Sequence, residues 1–369
     1  MSEATPATPL DMTSAAASRA SEPAPVLEIE GLRKEFSRSS LTDWVLRRQG
    51  VRTLALDDVS LSVLAGETLA IVGESGSGKT TLAHSLVRLV EPDAGRILFD
   101  GRDILRAPRR ELPSIRRRIQ LIYQDPYSSL NSALKIGDAI IEPALVHRLI
   151  DKEQAGTRLA ELMDQVGLTA ALAQRRPQAL SGGQRQRVAI ARSLAAQPEI
   201  LIADEAVSAL DVSVQAQVIR LFARLRAELG LTLIFVSHQL ATVAQLCERV
   251  AIMYRGRLVE LGPTGEVFAR PRHGYTSALI GAHPGGRRLR DRAGAAPPTT
   301  PPSLDLPGCP FRHRCAFVRD ICERETPPAV LIAPGHMASC HVLPHDADLA
   351  SSAGIGALAT PRRNGKAPI

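Results

Sequence analysis

The octapeptide Gly73-Glu-Ser-Gly-Ser-Gly-Lys-Thr80 constrains this chain more than any other stretch. It lies between a continuous apolar run, Thr68 to Val72, and a segment from Lys79 onward whose Leu82, Leu86 and Leu89 recur at helical spacing. Strand, glycine loop and helix form the setting in which the pattern Gly-x4-Gly-Lys-Thr cradles phosphate. The glycines let backbone wrap closely around an anion, and free N–H groups at a helix N-terminus supply positive potential. Lys79 is placed to reach β- and γ-phosphates and Thr80 to coordinate Mg²⁺. A flexible Gly-rich turn is the bland alternative, and the correct flanks speak against it.

Further on, Ile200-Leu-Ile-Ala-Asp204-Glu205 is an apolar strand ending in two acids. Acids at a strand end are ordinarily a solvated turn. With a phosphate loop upstream they acquire a different sense, Asp204 holding the metal through a water and Glu205 polarising an attacking water. Around these motifs the periodicity predicts antiparallel strands over Val26–Phe36 and Leu54–Gly66, separated by a basic insertion from Ser37 to Arg52. Helices are expected at Ile136–His147, Lys152–Val166 and Gly182–Ala196, the last after a Ser N-cap. Buried strands at Ile200–Ala203 and Leu231–Val236 flank a helix at Val212–Leu229, and this βαβ alternation implies a parallel sheet.

Composition narrows the class. The apolar runs are far shorter than the ~18 to 20 residues that cross a bilayer, so any membrane role is borrowed from partners. The first 25 residues lack the basic start and apolar stretch of a secretory signal, which predicts a cytoplasmic address. A net charge of +7 sits largely outside the expected core, in Arg287, Arg288, Arg290, Arg292, Arg362, Arg363 and Lys366. With only 3% aromatics for base stacking, nucleic acid is excluded as the primary ligand. The expected organisation is a leader (1–25), a catalytic domain (26–280) with a helical subdomain at about 125–196, a Pro/Arg-rich linker (281–307), a cysteine module (308–345) and a tail (346–369).

Leu180-Ser-Gly-Gly-Gln184 matches at every position the motif that separates ABC ATPases from other P-loop enzymes. It is a second anion cradle, with the Ser181 hydroxyl and the unobstructed N–H groups of Gly182 and Gly183 at a helix start. The chain thus resembles an ABC cassette: an α/β P-loop NTPase with a parallel-sheet core, an antiparallel β subdomain, a helical subdomain and a small Cys-containing extension. The resemblance implies ATP and Mg²⁺ as ligands, contacts along Gly73, Glu74, Ser75, Gly76, Ser77, Gly78, Lys79, Thr80 and Thr81, and catalytic roles for Glu205, Gln124 and His238. Gln124, the Q-loop residue, would contact Mg²⁺ and the attacking water, and His238 would touch the γ-phosphate and help to hold Glu205. Ser181, Gly182, Gly183 and Gln184 of the signature and Asp211 of the D-loop Ser208-Ala-Leu-Asp211 complete the set. Phe36 falls where the family stacks an aromatic on adenine, and a buried strand Phe is the even alternative. One P-loop and one signature face opposite ways in such proteins, so a complete site requires two subunits.

Two stretches, Tyr123-Gln-Asp-Pro-Tyr-Ser-Ser-Leu-Asn131 and Asp204-Glu-Ala-Val-Ser-Ala-Leu-Asp-Val-Ser213, resemble the ATPase subunits of oligopeptide, dipeptide and nickel importers. That likeness implies a second ATPase subunit, two transmembrane permease subunits and an extracytoplasmic solute-binding protein as partners, at the inner face of the cell membrane. Soluble ABC ATPases of DNA repair or translation, and accessory ATPases of soluble enzymes, are the rival classes. Gln239 departs from the family, which has Asp after the His. Cys309, Cys315, Cys322 and Cys340 cluster in the extension. In a cytosolic chain four such thiols suggest a metal set. The resemblance points to a [4Fe-4S] cluster, with Zn²⁺ or simple packing of reduced thiols as alternatives.

Overall fold

The computed structural model describes residues 24–38, 51–282 and 307–342. Most of the expected leader and of the basic insertion, nearly all of the linker, and the tail lie outside these residues.

Two sheets organise the chain. The smaller is antiparallel, in the order β2-β1-β4-β5, from β1 (Pro25–Arg38), β2 (Val51–Leu64), β4 (Ala94–Phe99) and β5 (Arg102–Asp103). The larger has eight strands in the order β11-β12-β10-β9-β3-β8-β7-β6. Its parallel part comprises β3 (Thr68–Val72), β6 (Ile119–Ile122), β7 (Ile200–Asp204), β8 (Thr232–Ser237) and β9 (Arg249–Tyr254). Antiparallel additions follow at one edge: β10 (Arg257–Pro263), β12 (His336–Ala338) and β11 (Val330–Ala333).

The inner strands β3, β7 and β8 are buried along their whole length and mostly apolar because both of their faces are covered. Successive side chains point to opposite faces. Leu69 and Ile71 pack under the antiparallel sheet with Leu27, Ile29, Leu82 and Leu86, whereas Ala70 and Val72 join the core built with the helices on the other side. On that side α3 (Ile136–Val146), α4 (Ala155–Gln165) and α5 (Gly182–Ala195) bury Ile136, Ile140, Leu162, Val188 and Leu194. Their chain neighbours α1 (Lys79–Leu86) and α2 (Leu112–Arg118) precede them, and α6 (Val212–Leu229), α7 (Leu240–Leu246), α8 (Thr264–Ala269) and α9 (Gly274–Gly281) follow.

α6 shows how sequence fixes the limits. The Asp211 carboxylate accepts the Val214 N–H at 3.1 Å at the start, Gly230 closes the end at φ 66°, and Val218, Leu221, Phe222 and Leu225 form the buried stripe.

The structure differs from the periodicity at several places. Pairing of β1 with β2 continues past the alternating pattern to Arg38 opposite Val51. The helix expected at Lys152 opens as a 3₁₀ turn, Lys152–Gln154, with an Asp151–Gln154 capping box. The cysteine segment is not a separate layer. β12 pairs with β10 (Glu260 opposite Ala338), so the segment extends the main sheet.

Candidate nucleotide site

The phosphate loop leaves β3 buried and enters α1 through Gly78, whose φ of 101° only glycine adopts without strain. A Cβ there would stand 2.4 Å from the Ala55 carbonyl oxygen, so β2 itself presses against the loop. Ser75 and Gly76 face solvent while Ser77 and Lys79 are buried. The Lys79 ammonium donates to the carbonyls of Gly73 and Glu74, each at 2.9 Å. Burial lowers its pKa, against the opposing charges of Glu205 and Asp204. The buried Ser77 hydroxyl has no hydrogen-bond partner. An ammonium folded onto carbonyls and an unsatisfied buried hydroxyl in a glycine loop fit a phosphate chain: both groups gain partners when it binds.

Asp204, at the end of β7, is almost wholly buried and accepts the Thr80 hydroxyl at 3.2 Å. Burial raises its pKa, with the Thr80 hydrogen bond acting the other way. A buried carboxylate beside a hydroxyl is an oxygen donor set for Mg²⁺, whose charge would reverse the burial penalty. Glu205 follows at φ 45°, an uncommon left-handed conformation for a non-glycine residue. Its N–H donates to the Val236 carbonyl at 3.0 Å, and its carbonyl accepts the Ser208 N–H and hydroxyl. These contacts aim the carboxylate at three groups. Gln124 Nε2 donates to Oε2 at 3.0 Å, His238 Nδ1 stands 3.5 Å from Oε1, and Lys79 Nζ stands 4.0 Å from the same oxygen. The expected Lys79, Thr80, Gln124, Asp204, Glu205 and His238 therefore meet at the carboxyl ends of β3, β6, β7 and β8, where ligands bind in sheets of this type.

The signature begins α5 through a reciprocal cap: the Ser181 hydroxyl accepts the Gln184 N–H at 3.3 Å and the Gln184 side chain accepts the Ser181 N–H at 3.0 Å. Gly183 lies so close to α6 that a Cβ would sit 2.4 Å from Val214 Cγ1. Ser181 and Gly182 are exposed. Asp211 spends its carboxylate on its own helix start, accepting from Ser213 Oγ at 2.8 Å and from Val214 N–H, and these bonds lower its pKa. Phe36 is 41% exposed, with Lys34 Nζ 5.4 Å from its ring centroid, so the buried-strand alternative is not what the fold adopts. Gln239 accepts the Thr242 hydroxyl at 3.2 Å, a local contact within the first turn of α7.

Two features escaped the sequence. His84 Nε2 comes within 3.8 Å of Asp204 Oδ2, a position legible only as a polar residue one turn after Thr80. Arg314 pairs with Glu74 across 240 residues, a contact that no local pattern announces.

The four extension cysteines are free thiols, Cys309 and Cys322 buried and Cys315 and Cys340 partly so. Burial pushes the Cys309 thiol up and that of Cys315 up to about 12, and the other three thiols each add to the rise at Cys315. They share one neighbourhood, yet among the described residues no group of three or more His, Cys, Asp or Glu is arranged to hold a metal ion. Cys309 Sγ instead faces His273 Nε2 at 3.9 Å. The four thiols are the donor type that a soft metal takes, and their arrangement among the described residues lends the expected cluster no support.

Fold and site together define a P-loop ATP hydrolase of the ABC-cassette class, with the phosphate loop, the two acids and the signature on their expected elements. Residues 56–208 match the ABC transporter family and residues 259–322 match the oligopeptide/dipeptide transporter C-terminal region. The chain is similar to a probable peptide ABC transporter ATP-binding protein of Sinorhizobium fredii, 45% identical over 91% of this chain and 96% of that one. It is also similar to the oligopeptide transport ATP-binding protein AppF of Bacillus subtilis, 41% identical over 86% and 97% respectively. Among solved structures, a dimeric ATP-binding cassette in a post-hydrolysis state with ADP and Pi matches with a TM-score of 0.58 at 27% identity, covering 64% of this chain and 98% of that one. The chain belongs to the family of ABC transporter ATP-binding subunits that carry the oligopeptide/dipeptide C-terminal region.

Proposed function

We propose that this chain is the subunit that couples ATP hydrolysis to import of peptides or related small solutes through separate permease subunits. The convergence of Lys79, Thr80, Gln124, Asp204, Glu205 and His238 at the carboxyl ends of the parallel strands carries the proposal. Lys79 and the loop N–H groups bind the phosphates, Thr80 and Asp204 hold Mg²⁺, and Phe36 offers its exposed ring to adenine. Mg²⁺, when bound, neutralises charge on the β- and γ-phosphates. Glu205, aimed by Gln124 and His238, accepts a proton from the water that attacks the γ-phosphorus as the bond to ADP breaks, and His238 touches the γ-phosphate. The solvent-facing Ser181 and Gly182 close the site from a second cassette, identical or related, and the dimeric state of the similar solved cassette supports this arrangement.

No helix among the described residues is long and apolar enough to cross a membrane. Attachment in this proposal runs through the permeases. A groove of about 410 Å³ beside Gln124, lined by Leu89, Tyr123, Pro143 and Val146, supports docking of a permease segment where the helical region meets the catalytic edge. An extracytoplasmic solute-binding protein would deliver the solute. Co-purification of the tagged chain with two multi-span membrane proteins, followed by solute-stimulated ATP hydrolysis in proteoliposomes, is the expected result. A chain that hydrolyses ATP but associates only with soluble proteins would refute the transport role.

The thiols of the extension are soft-metal donors, and the hydrogen bond from the Cys309 N–H to the Cys322 carbonyl at 2.8 Å joins the backbones of two of them. Anaerobic purification with absorption spectroscopy and metal analysis decides between an iron–sulfur or zinc occupant and four reduced, packed thiols.

A further inference from the structure

The second residue of the phosphate loop is gripped at three places. Its N–H donates to the Tyr275 hydroxyl at 2.8 Å. Its carboxylate accepts both arms of the Arg314 guanidinium, at 3.0 and 2.9 Å. Its carbonyl takes the Lys79 ammonium at 2.9 Å. Glu74 is therefore the peptide through which the group that grips phosphate is joined to Tyr275 of α9 and Arg314 of the C-terminal extension.

The brace behind these contacts is rigid. Tyr275 is 1% exposed, with Tyr254 of β9 and Phe311 of the extension at ring-centroid distances of 4.5 and 5.4 Å. Phe311 is itself buried, and the Arg314 guanidinium lies 5.5 Å from its ring centroid. Burial raises the Tyr275 pKa, which keeps its hydroxyl neutral. The Arg314 pair is bidentate, the geometry that fixes direction as well as charge. It also places a cation on a carboxylate that would otherwise stand uncompensated at the mouth of a site built for a polyanion.

We infer that Arg314 and Tyr275 are positioning residues for nucleotide binding, through which the C-terminal extension holds the phosphate loop in its binding shape and cancels the Glu74 charge. This rests on the nucleotide-site reading above. Half-exposed ion pairs contribute little to stability, so the effect falls on nucleotide affinity rather than on folding.

The test measures equilibrium binding of a fluorescent ATP analogue with Mg²⁺, together with kcat and KM, on the full-length chain at low and high salt. R314A is expected to weaken binding roughly three- to tenfold at low salt, with a smaller change at high salt, because screening weakens the repulsion left behind. R314K should recover part of the loss, since it restores charge without the fork. Combining R314A with E74Q should bring binding back to within about twofold of E74Q alone, since the charge to be cancelled is gone. Y275F, which removes only the acceptor of the Glu74 N–H, should raise KM about threefold with less change in kcat. The inference is overturned if R314A and Y275F bind as tightly as the parent, or if the double variant binds no better than R314A. K79A is the separate control: if the parent and K79A bind equally, the nucleotide site itself has been misplaced. Thermal melts identify any variant that fails to fold, and R314K with the double variant then carry the decision.

Discussion

Replacing Glu205 with Gln removes one charge and one proton acceptor while keeping the shape of the side chain. Gln retains an oxygen that can accept the Gln124 Nε2 hydrogen now bonded at 3.0 Å, and it leaves His238 and Lys79 where they stand. What disappears is the group that takes a proton from water. A positioned general base contributes on the order of 10² to 10⁴ in rate, or about 3 to 5 kcal/mol of barrier at about 1.4 kcal/mol per decade. Glu205 is also the largest charge holding the buried Lys79 protonated, so the substitution lowers the lysine pKa further. Lys79 keeps Asp204 and gains the phosphates when nucleotide binds, so affinity should change far less than turnover. Phosphate release at saturating ATP should fall by about two orders of magnitude or more, while the fluorescent analogue binds within a few-fold of the parent. Turnover within about threefold of the parent would refute the assignment of Glu205 as base.

Gly183→Ala forces a Cβ to within 2.4 Å of Val214 Cγ1. The stiff Val side chain cannot swing clear, so urea unfolding should show a loss of about 1 to 3 kcal/mol, largely restored by adding Val214→Ala; an undiminished midpoint would contradict the packing. His273 is buried and neutral, its pKa pushed down to about 4 from 6.5. Between those values the unfolded chain takes up a proton that the fold refuses, so stability falls as pH drops from 6.5 towards 4, by about 3 kcal/mol in all. Asn at this position keeps an acceptor for the Tyr275 N–H and cannot titrate, so His273→Asn should flatten the profile, and parallel profiles would exclude the residue as its source. Phe36→Ala should weaken ATP binding by about 1 to 3 kcal/mol, the worth of one base on an aromatic, while leaving inorganic tripolyphosphate unaffected; equal losses for both ligands would remove the stacking role.

The site was legible where function is written in short local strings. Gly73 to Thr80, Asp204-Glu205 and Leu180 to Gln184 each combine a motif with its own secondary-structure switch, so residue type and backbone geometry are fixed together. Three of the five parallel strands, β3, β7 and β8, were readable for a related reason, since burial on both faces leaves apolar runs at Thr68–Val72, Ile200–Ala203 and Leu231–Val236, whereas β6 and β9 were not anticipated. What stayed hidden depends on contacts distant in sequence. β4 begins with exposed residues that carry no apolar alternation, and it is held by pairing with β1. The Arg314–Glu74 pair, the addition of β12 to β10 and the exposure of Phe36 are set by how the extension and the β1–β2 pair settle on the core. The cysteines mark the limit of composition as a guide. Four thiols in one segment imply a ligand set by composition, whereas a metal site is a matter of direction and distance that spacing alone does not supply.

The most direct test is a structure of the full-length Glu205→Gln chain grown with ATP and Mg²⁺. The triphosphate should lie in the Gly73–Thr80 loop, with Lys79 drawn off the Gly73 and Glu74 carbonyls onto phosphate oxygens and Ser181 of a second cassette reaching the γ-phosphate. Nucleotide bound with Lys79 still on those carbonyls, or met by Ser181 of the same polypeptide, would contradict the account.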